Sequence, residues 1–181
     1  AAAILLRAGW PAIAATGGAF VDPMCGSGTF AIEAALIAAN IAPGLSRKGF
    51  GFERWKQHDA GSWQAIRTEA QSQSAPELLT RGRIRGFDRD PVVLRDAALN
   101  AERAGLADRI LFQRSELANL PAAPAPTGLI AVNPPYGERI GETEELRALY
   151  ALLGERLRAG YRGWEAAVFT GNPALGRELA I

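Results

Sequence analysis

The apolar run Gly128–Val132 is followed at once by Asn133 and by two prolines, Pro134 and Pro135. A short apolar run without polar alternation is typical of a parallel strand that is buried on both faces. The strand must end at the prolines, because they lack an N–H donor and restrict the residue before them. A strand buried on both faces needs helices on both sides of its sheet, which predicts an α/β fold.

Four other segments have the composition of strands, and segments with helical periodicity separate the expected strands. The expected strands are 19–22, 83–88, 109–113, 128–132 and 164–170, and the expected helices are 26–40, 62–79, 91–104, 142–159 and 173–181. Ser62 is the expected N-cap of the second helix, and Gly160 the expected end of the fourth. Alternating strands and helices predict right-handed crossovers and a mostly parallel, doubly wound sheet.

We interpret residues 1–181 as one domain with an insertion at about 41–81, between the first helix and the second strand. The chain does not begin with Met, and residues 1–6 have the composition of a helix in progress. We therefore expect a fragment of a longer protein, truncated at its C-terminus. The formal net charge is +1, so no broad basic surface is expected to grip phosphate backbones.

One cysteine and one histidine limit the chemistry that the chain can support. Cys25 cannot form an internal disulfide, which indicates a reducing compartment, and we expect a cytoplasmic protein. Cys25 and His58 give no ligand cluster, so no metal is expected. We interpret Cys25 as a packing residue and His58 as a structural or surface residue. No apolar stretch approaches the length of a membrane span, so no membrane partner is expected.

A glycine-rich loop joins the first strand to the first helix over residues 22–30. Gly26 and Gly28 allow a tight turn and a close ligand approach, and the helix start offers free N–H groups. The loop fits the dinucleotide pattern G-x-G-x-x-A, but many such turns need glycine only for packing. Asp88 ends the second strand, where an acid can accept hydrogen bonds from both ribose hydroxyls.

The loop and Asp88 together suit either NAD or adenosylmethionine. Asp22, at the end of the first strand, favours the second, because it would repel a pyrophosphate and attract a sulfonium or an ammonium group. Asp90 could compete with Asp88, but it precedes Pro91 and is better placed to cap the next helix.

The tetrad Asn133-Pro134-Pro135-Tyr136 predicts recognition of an amino group on a nucleobase. The Asn133 side-chain oxygen and the Pro134 carbonyl can both accept hydrogen bonds from one NH2 group, and the Tyr136 ring can stack on a base rotated out of its helix. Asn133 and Pro134 would then favour a pyramidal, nucleophilic nitrogen.

Four segments of this sequence resemble the bacterial large-subunit (23S) rRNA guanine-N2 methyltransferases, sometimes labelled N6-adenine-specific methylases. They are Asp22–Glu33, Gly86–Asp90, Asn133–Arg139 and, in the insertion, Gly51–Asp59. The resemblance runs over nearly the whole chain. It implies a class I, Rossmann-like fold and S-adenosylmethionine as methyl donor. It also implies large-subunit ribosomal RNA as partner, docked through an N-terminal THUMP module that the sequence lacks.

The resemblance also implies roles for individual residues. Asn133, Pro134 and Tyr136 would be catalytic, and Pro135 and Tyr136 would contact the substrate. Glu116 aligns with the acid near the adenine amine, where Asp is more usual, and Ser115 is the alternative. The residues expected to bind the cofactor are Asp22, Cys25, Gly26, Ser27, Gly28, Thr29, Asp88, Glu116 and Asn133.

Three other functions fit parts of the sequence. A DNA adenine-N6 methyltransferase would use the same tetrad, because the tetrad grips either amine. A dehydrogenase would explain only the glycine loop and Asp88. A non-catalytic RNA-binding module would keep the fold and lose the chemistry.

Overall fold

The computed structural model describes residues 1–136 and 143–181. Five strands in these residues form one sheet, and every neighbouring pair is parallel. They are β1 (Ala19–Asp22), β2 (Ile84–Asp88), β3 (Ile110–Arg114), β4 (Gly128–Val132) and β5 (Glu165–Val168). The spatial order is β3-β2-β1-β4-β5, so the winding reverses between β1 and β4.

Helices alternate with most of the strands along the chain and pack on both faces of the sheet, which confirms the predicted α/β, doubly wound architecture. They are α1 (Ala2–Arg7), α2 (Trp10–Ala15), α3 (Thr29–Ala38), α4 (Ala60–Ser72), α5 (Pro91–Arg103), α6 (Thr143–Gly160) and α7 (Pro173–Glu178). Asp90 caps α5 as expected, because its carboxylate accepts a hydrogen bond from the Val92 N–H at 2.8 Å. No helix of the described residues is long and apolar enough to cross a membrane.

Both faces of β4 are buried, as its apolar run predicts. Leu129 and Ala131 pack in the cluster formed with α1, α2, α3 and α5, whereas Ile130 and Val132 pack in the cluster formed with α6 and α7. This alternation follows from the two-residue period of a strand, which sends successive side chains to opposite faces. Two hydrophobic layers therefore hold the strand ends in fixed relative positions.

The predicted helix 62–79 with Ser62 as its N-cap is wrong in both boundaries. The helix α4 begins at Ala60, because the Asp59 carboxylate accepts hydrogen bonds from the N–H groups of Gly61 and Ser62 at 2.8 and 3.2 Å. It ends at Ser72, and Pro76–Leu78 form a separate 3-10 turn. Pro76 disfavours the helical conformation of the residue before it, which explains the early end.

The segment between α3 and β2, which we interpret as an insertion, forms an excursion from the sheet. Its two ends are joined by hydrogen bonds from the Asn40 side chain to the Gln73 carbonyl at 3.1 Å and from the Ala75 N–H to the Ala39 carbonyl at 2.8 Å. Within it, the rings of Phe50 and Phe52 pack edge-on against Trp63, with centroids 5.3 and 4.9 Å apart. The insertion thus carries a small aromatic core of its own.

A substitution at Gly154 of α6 tests how tightly α7 packs on that helix. An added Cβ at this position would overlap the carbonyl group of Leu179. We expect Gly154→Ala to lower the free energy of unfolding by about 1–3 kcal/mol through overpacking, although alanine is the better helix former. Urea denaturation followed by circular dichroism measures the change.

Gly160→Ala on the same helix is the matched control, because the nearest atom to its added Cβ is the Ala122 Cα at 3.8 Å. We expect this control to keep or raise stability. A Gly154→Ala variant as stable as the control would contradict the packing of α7 on α6.

Candidate active site

The carboxyl ends of β1 and β4 meet at the point where the sheet reverses its winding. Asp22 is the last residue of β1, and Asn133 follows the last residue of β4. Val21 and Ile130 are paired in the register of these strands, so the two ends are adjacent. Ligands of doubly wound sheets bind at this switch point, beyond the carboxyl ends of the strands.

Two adjoining cavities open at this edge and share Met24 and Asn133 in their walls. The first, of about 360 Å³, is named here the loop cavity and is lined by the glycine loop, α1 and the end of β5. The second, of about 590 Å³, is named the strand-end cavity and is lined by the segments that follow β2, β3 and β4. Asn133 therefore stands where the two cavities join.

The two glycines of the loop differ in what surrounds them. Gly26 has φ of +50°, lines the loop cavity, and has no atom within 4 Å of the position that a Cβ would occupy. Gly28 has φ of +84°, and its Cβ would lie 2.8 Å from the Phe112 ring and 3.1 Å from Ala97. Gly26 leaves open space toward the cavity, whereas Gly28 serves the packing of the loop on the fold. Ser27 and Thr29 also line the loop cavity.

The Asp88 carboxylate links the glycine loop to the end of β2. Its Oδ2 accepts a hydrogen bond from the Gly26 N–H at 3.0 Å, and its Oδ1 accepts one from the Asp90 N–H at 3.0 Å. Each carboxylate oxygen can accept more than one hydrogen bond, so both retain capacity toward the strand-end cavity that Asp88 lines. Asp88 thus holds the loop in place while facing the cavity.

Asp22 is a buried carboxyl with 2% of its surface exposed. The Met24 N–H donates to its Oδ1 at 3.2 Å, and no ion pair of the described residues includes it. Burial raises the pKa of Asp22 to about 8, and the nearby Asp88 acts in the same direction, while the Met24 hydrogen bond opposes both. A cation in the loop cavity would compensate the ionised form.

Cys25 lines the loop cavity but is itself buried. Burial raises the pKa of its thiol, and the carboxyl groups of Asp22 and Asp88 raise it further. A thiol that stays protonated is a poor nucleophile. Its Cβ lies 3.0 Å from the position that a Cβ on Gly86 would take, so Cys25 packs the loop onto β2.

Glu116 and Ser115 both line the strand-end cavity. The Ser115 hydroxyl donates to the carbonyls of Glu116 and Asn119 at 3.1 and 3.2 Å. The Glu116 side chain is exposed and makes no hydrogen bond within the described residues. Glu116 therefore presents a carboxylate with free acceptor oxygens to this cavity.

The tetrad extends the sheet edge beyond β4. The Phe169 N–H donates to the Val132 carbonyl at 2.9 Å, which fixes the residue before the tetrad. Pro134 is buried, while Asn133, Pro135 and Tyr136 are exposed. The Asn133 side chain makes no hydrogen bond within residues 1–136 and 143–181. Residues 137–139, which continue the recognised motif, lie outside the described residues.

The structure brings most of the expected site residues to the cavity walls, but Gly28, Pro134 and Tyr136 line neither cavity. Sequence reasoning gave no site role to several wall residues: Ala1, Ile4 of α1, Phe30, Phe169, Arg89, Leu149 and Leu152. Phe30 and Arg89 lie inside recognised segments, whereas the others belong to no motif. In the part of the chain that the structure describes, no group of acidic, His and Cys side chains could hold a metal.

Comparisons with known proteins match this site to one family. A family model described as UPF0020, the RMKL-like methyltransferase domain, matches residues 1–180. Proteins named ribosomal RNA large subunit methyltransferase K/L are 53% identical in Syntrophotalea carbinolica and in Allochromatium vinosum, and each match covers the whole chain. The chain spans about a quarter of the length of these relatives (26% and 25%).

Solved structures with the same architecture include the methyltransferase SMU.472 complexed with SAH, at a TM-score of 0.81 and 34% identity. A second, described as an N6-adenine-specific DNA methylase from Listeria monocytogenes, has a TM-score of 0.81 and 35% identity. Each match covers 90% of this chain and 42% of the other. The parallel sheet with its covering helices is thus a class I methyltransferase fold, and the chain belongs to the RMKL-like methyltransferase-domain family.

Proposed function

We propose that this domain transfers a methyl group from S-adenosylmethionine to the exocyclic N2 amine of a guanosine in large-subunit ribosomal RNA. The position of Asn133 carries this proposal. Asn133 lies in the wall shared by the loop cavity and the strand-end cavity, and its side chain is free of hydrogen bonds within the described residues. A ligand with its methionine end in one cavity and its adenosine in the other would have its sulfonium at their junction, beside Asn133.

The residues of the loop cavity fit the methionine end of the cofactor. Asp22 is a carboxyl whose pKa is raised by burial, and the ammonium or the sulfonium of the cofactor would favour its ionised form. Gly26 leaves the space that a backbone contact needs, and Ser27 and Thr29 stand at the start of α3, where free N–H groups favour a carboxylate.

The residues of the strand-end cavity fit the adenosine. Asp88 faces this cavity and can accept from ribose hydroxyls while it holds the Gly26 N–H. Glu116 is proposed for the adenine amine, because its exposed carboxylate lines this cavity and accepts no hydrogen bond within the described residues. Apolar wall residues such as Leu117 and Leu149 suit the flat faces of a purine.

The tetrad then holds the target amine. The Asn133 side-chain oxygen and the Pro134 carbonyl would accept its two N–H groups and turn the nitrogen lone pair toward the junction of the cavities. Bound adenosylmethionine supplies an electrophilic methyl group there. The chain contributes position and hydrogen bonding, and alignment of two reactants alone can supply about 7–11 kcal/mol in the best cases. Tyr136 would stack on the flipped base.

Ribosomal RNA is proposed as the substrate because the relatives at 53% identity are named ribosomal RNA large subunit methyltransferases. The Listeria protein, at 35% identity, is described as an N6-adenine-specific DNA methylase, so an adenine amine is the alternative target. The guanine assignment rests on the resemblance of the motifs. Mass mapping of ribosomal RNA from cells lacking and regaining the full-length gene tests it, and a modified adenine, or no modified nucleotide, would overturn it.

Asn133→Ala tests the tetrad. We expect methyl transfer by the full-length enzyme to fall about 10²- to 10³-fold, the usual loss on removing one preorganised hydrogen-bonding group. Affinity for adenosylhomocysteine should stay within about threefold, because the lost contact is to the substrate amine. Tritium transfer and calorimetric titration measure the two quantities.

Asn119→Ala is the matched control, since Asn119 is an exposed asparagine at the same sheet edge whose side chain makes no hydrogen bond within the described residues. It should retain activity. Turnover by Asn133→Ala equal to that of the control would remove Asn133 from the mechanism.

The raised pKa of Asp22 predicts that binding of the cofactor releases a proton. In the free protein the pKa of Asp22 is raised to about 8, so its carboxyl is protonated at pH 7. A cationic ligand favours the ionised form, so adenosylmethionine binding at pH 7 should release up to about one proton. Calorimetric titration in buffers of different ionisation enthalpy measures the release. An Asp22→Asn variant that releases the same number of protons would contradict this assignment.

The same shift gives stability a defined pH dependence. Between the unfolded pKa of about 3.9 and the folded pKa, the folded chain binds more protons than the unfolded chain. The contribution of Asp22 to stability is therefore complete below about pH 4, declines as pH rises toward 8, and is lost above that pH. Asp22→Asn should remove this decline, which denaturation at several pH values can measure.

A further inference from the structure

The ring of Tyr136 packs on the backbone of Gly171. A Cβ placed on Gly171 would lie 3.0 Å from Cδ2 and 3.1 Å from Cε2 of that ring, closer than side-chain carbons normally approach. Tyr136 nevertheless keeps 38% of its surface exposed. The glycine thus covers part of the ring, and the remainder is accessible to a ligand.

The loop that carries Gly171 is held on both sides. The buried Tyr150 of α6 donates its hydroxyl hydrogen to the Thr170 Oγ1 at 2.9 Å, and the Asn172 N–H donates to the same oxygen at 3.1 Å. The Asn172 side chain caps α7 by accepting from the N–H groups of Ala174 and Leu175. Before the loop, the Phe169 N–H is bonded to β4. The surface under the ring is therefore rigid.

Backbone conformation does not explain the glycine at this position. Gly171 is not among the glycines with positive φ, so an L side chain would meet no backbone strain there. What a side chain would meet is the Tyr136 ring. The absence of a side chain at residue 171 is needed for the position of Tyr136, not for the turn.

We propose that Gly171 is a positioning residue that sets the plane of Tyr136 and, through it, the plane of the methylated base. This inference rests on the proposed stacking of Tyr136 on the substrate. Bulk added at residue 171 pushes the ring outward and turns the stacked base away from Asn133. It leaves both cofactor cavities untouched, because Gly171 lines neither.

A graded series tests this role in the full-length gene product with undermethylated large-subunit ribosomal RNA. We expect kcat to fall in the order Gly171, Gly171→Ala, Gly171→Val, by up to about 100-fold, because a misplacement on the order of 1 Å costs about that much. The KM for adenosylmethionine and the melting temperature should stay unchanged. Gly176→Ala is the matched control, since its Cβ would meet only the Thr170 Cγ2 at an ordinary 3.8 Å.

The Tyr136→Ala background separates this role from a structural one. If Gly171 acts through the ring, Gly171→Ala should cost less than about twofold once the ring is gone, because the coupling between contacting residues is then removed. An equal loss of kcat with and without the ring would overturn the proposal. Full activity of Gly171→Val in the enzyme that retains Tyr136 would also overturn the proposal.

Fluorine resonances of 3-fluorotyrosine give a readout that needs no methyl transfer. The resonance that disappears in Tyr136→Phe should shift in Gly171→Ala and stay in place in Gly176→Ala. An unshifted resonance would show that the ring does not rest on Gly171, whatever the activity. Wild-type enzyme that methylates no ribosomal RNA would instead overturn the proposed function, while the fluorine readout still tests the contact.

Discussion

The parallel pairing of β1 with β4 is the constraint on which the site depends. It places the carboxyl end of a strand reached early in the chain beside the end of one reached more than a hundred residues later. Because both strands are buried on both faces, neither can slip by one residue without turning its apolar side chains into the wrong layer. The register that packs the core therefore also sets the end of β1, at Asp22, beside the end of β4, which Asn133 follows.

The same edge brings together two carboxyl groups, Asp22 and Asp88, that form no ion pair within the described residues. Asp22 is buried without an ion pair in the described residues, and Asp88 lies close enough to raise its pKa. Such a group lowers the stability of the ligand-free fold above neutral pH, and a cationic ligand restores it. Asp88 differs, because its two backbone hydrogen bonds make it part of the loop structure. Asp22 is thus the carboxyl that a cationic ligand would pair with, whereas Asp88 holds the loop against which the ligand would bind.

Local patterns in the sequence were sufficient to find the five strands but not every boundary. The apolar run 128–132 and the Pro91 helix start were recognisable, because burial and proline geometry act over a few residues. Asp59 capped α4 instead of Ser62, since both residues are good caps and only the turn geometry chooses between them. Wall residues from α1 and the end of β5 had no local signal, because they reach the cavities through packing between distant segments.

Glycine illustrates the same limit within the site itself. Gly26, Gly28 and Gly171 look alike in the sequence, yet their surroundings differ. A side chain at Gly26 would enter open space, one at Gly28 would meet the Phe112 ring, and one at Gly171 would meet the Tyr136 ring.

The near-neutral charge of the chain also bears on how a nucleic acid would be recognised. With a net charge of +1, long-range attraction of phosphates would contribute little, so the base recognition that we propose would depend on shape around a single base. A ring held in plane by a glycine, rather than a basic surface, is the kind of element that such recognition requires.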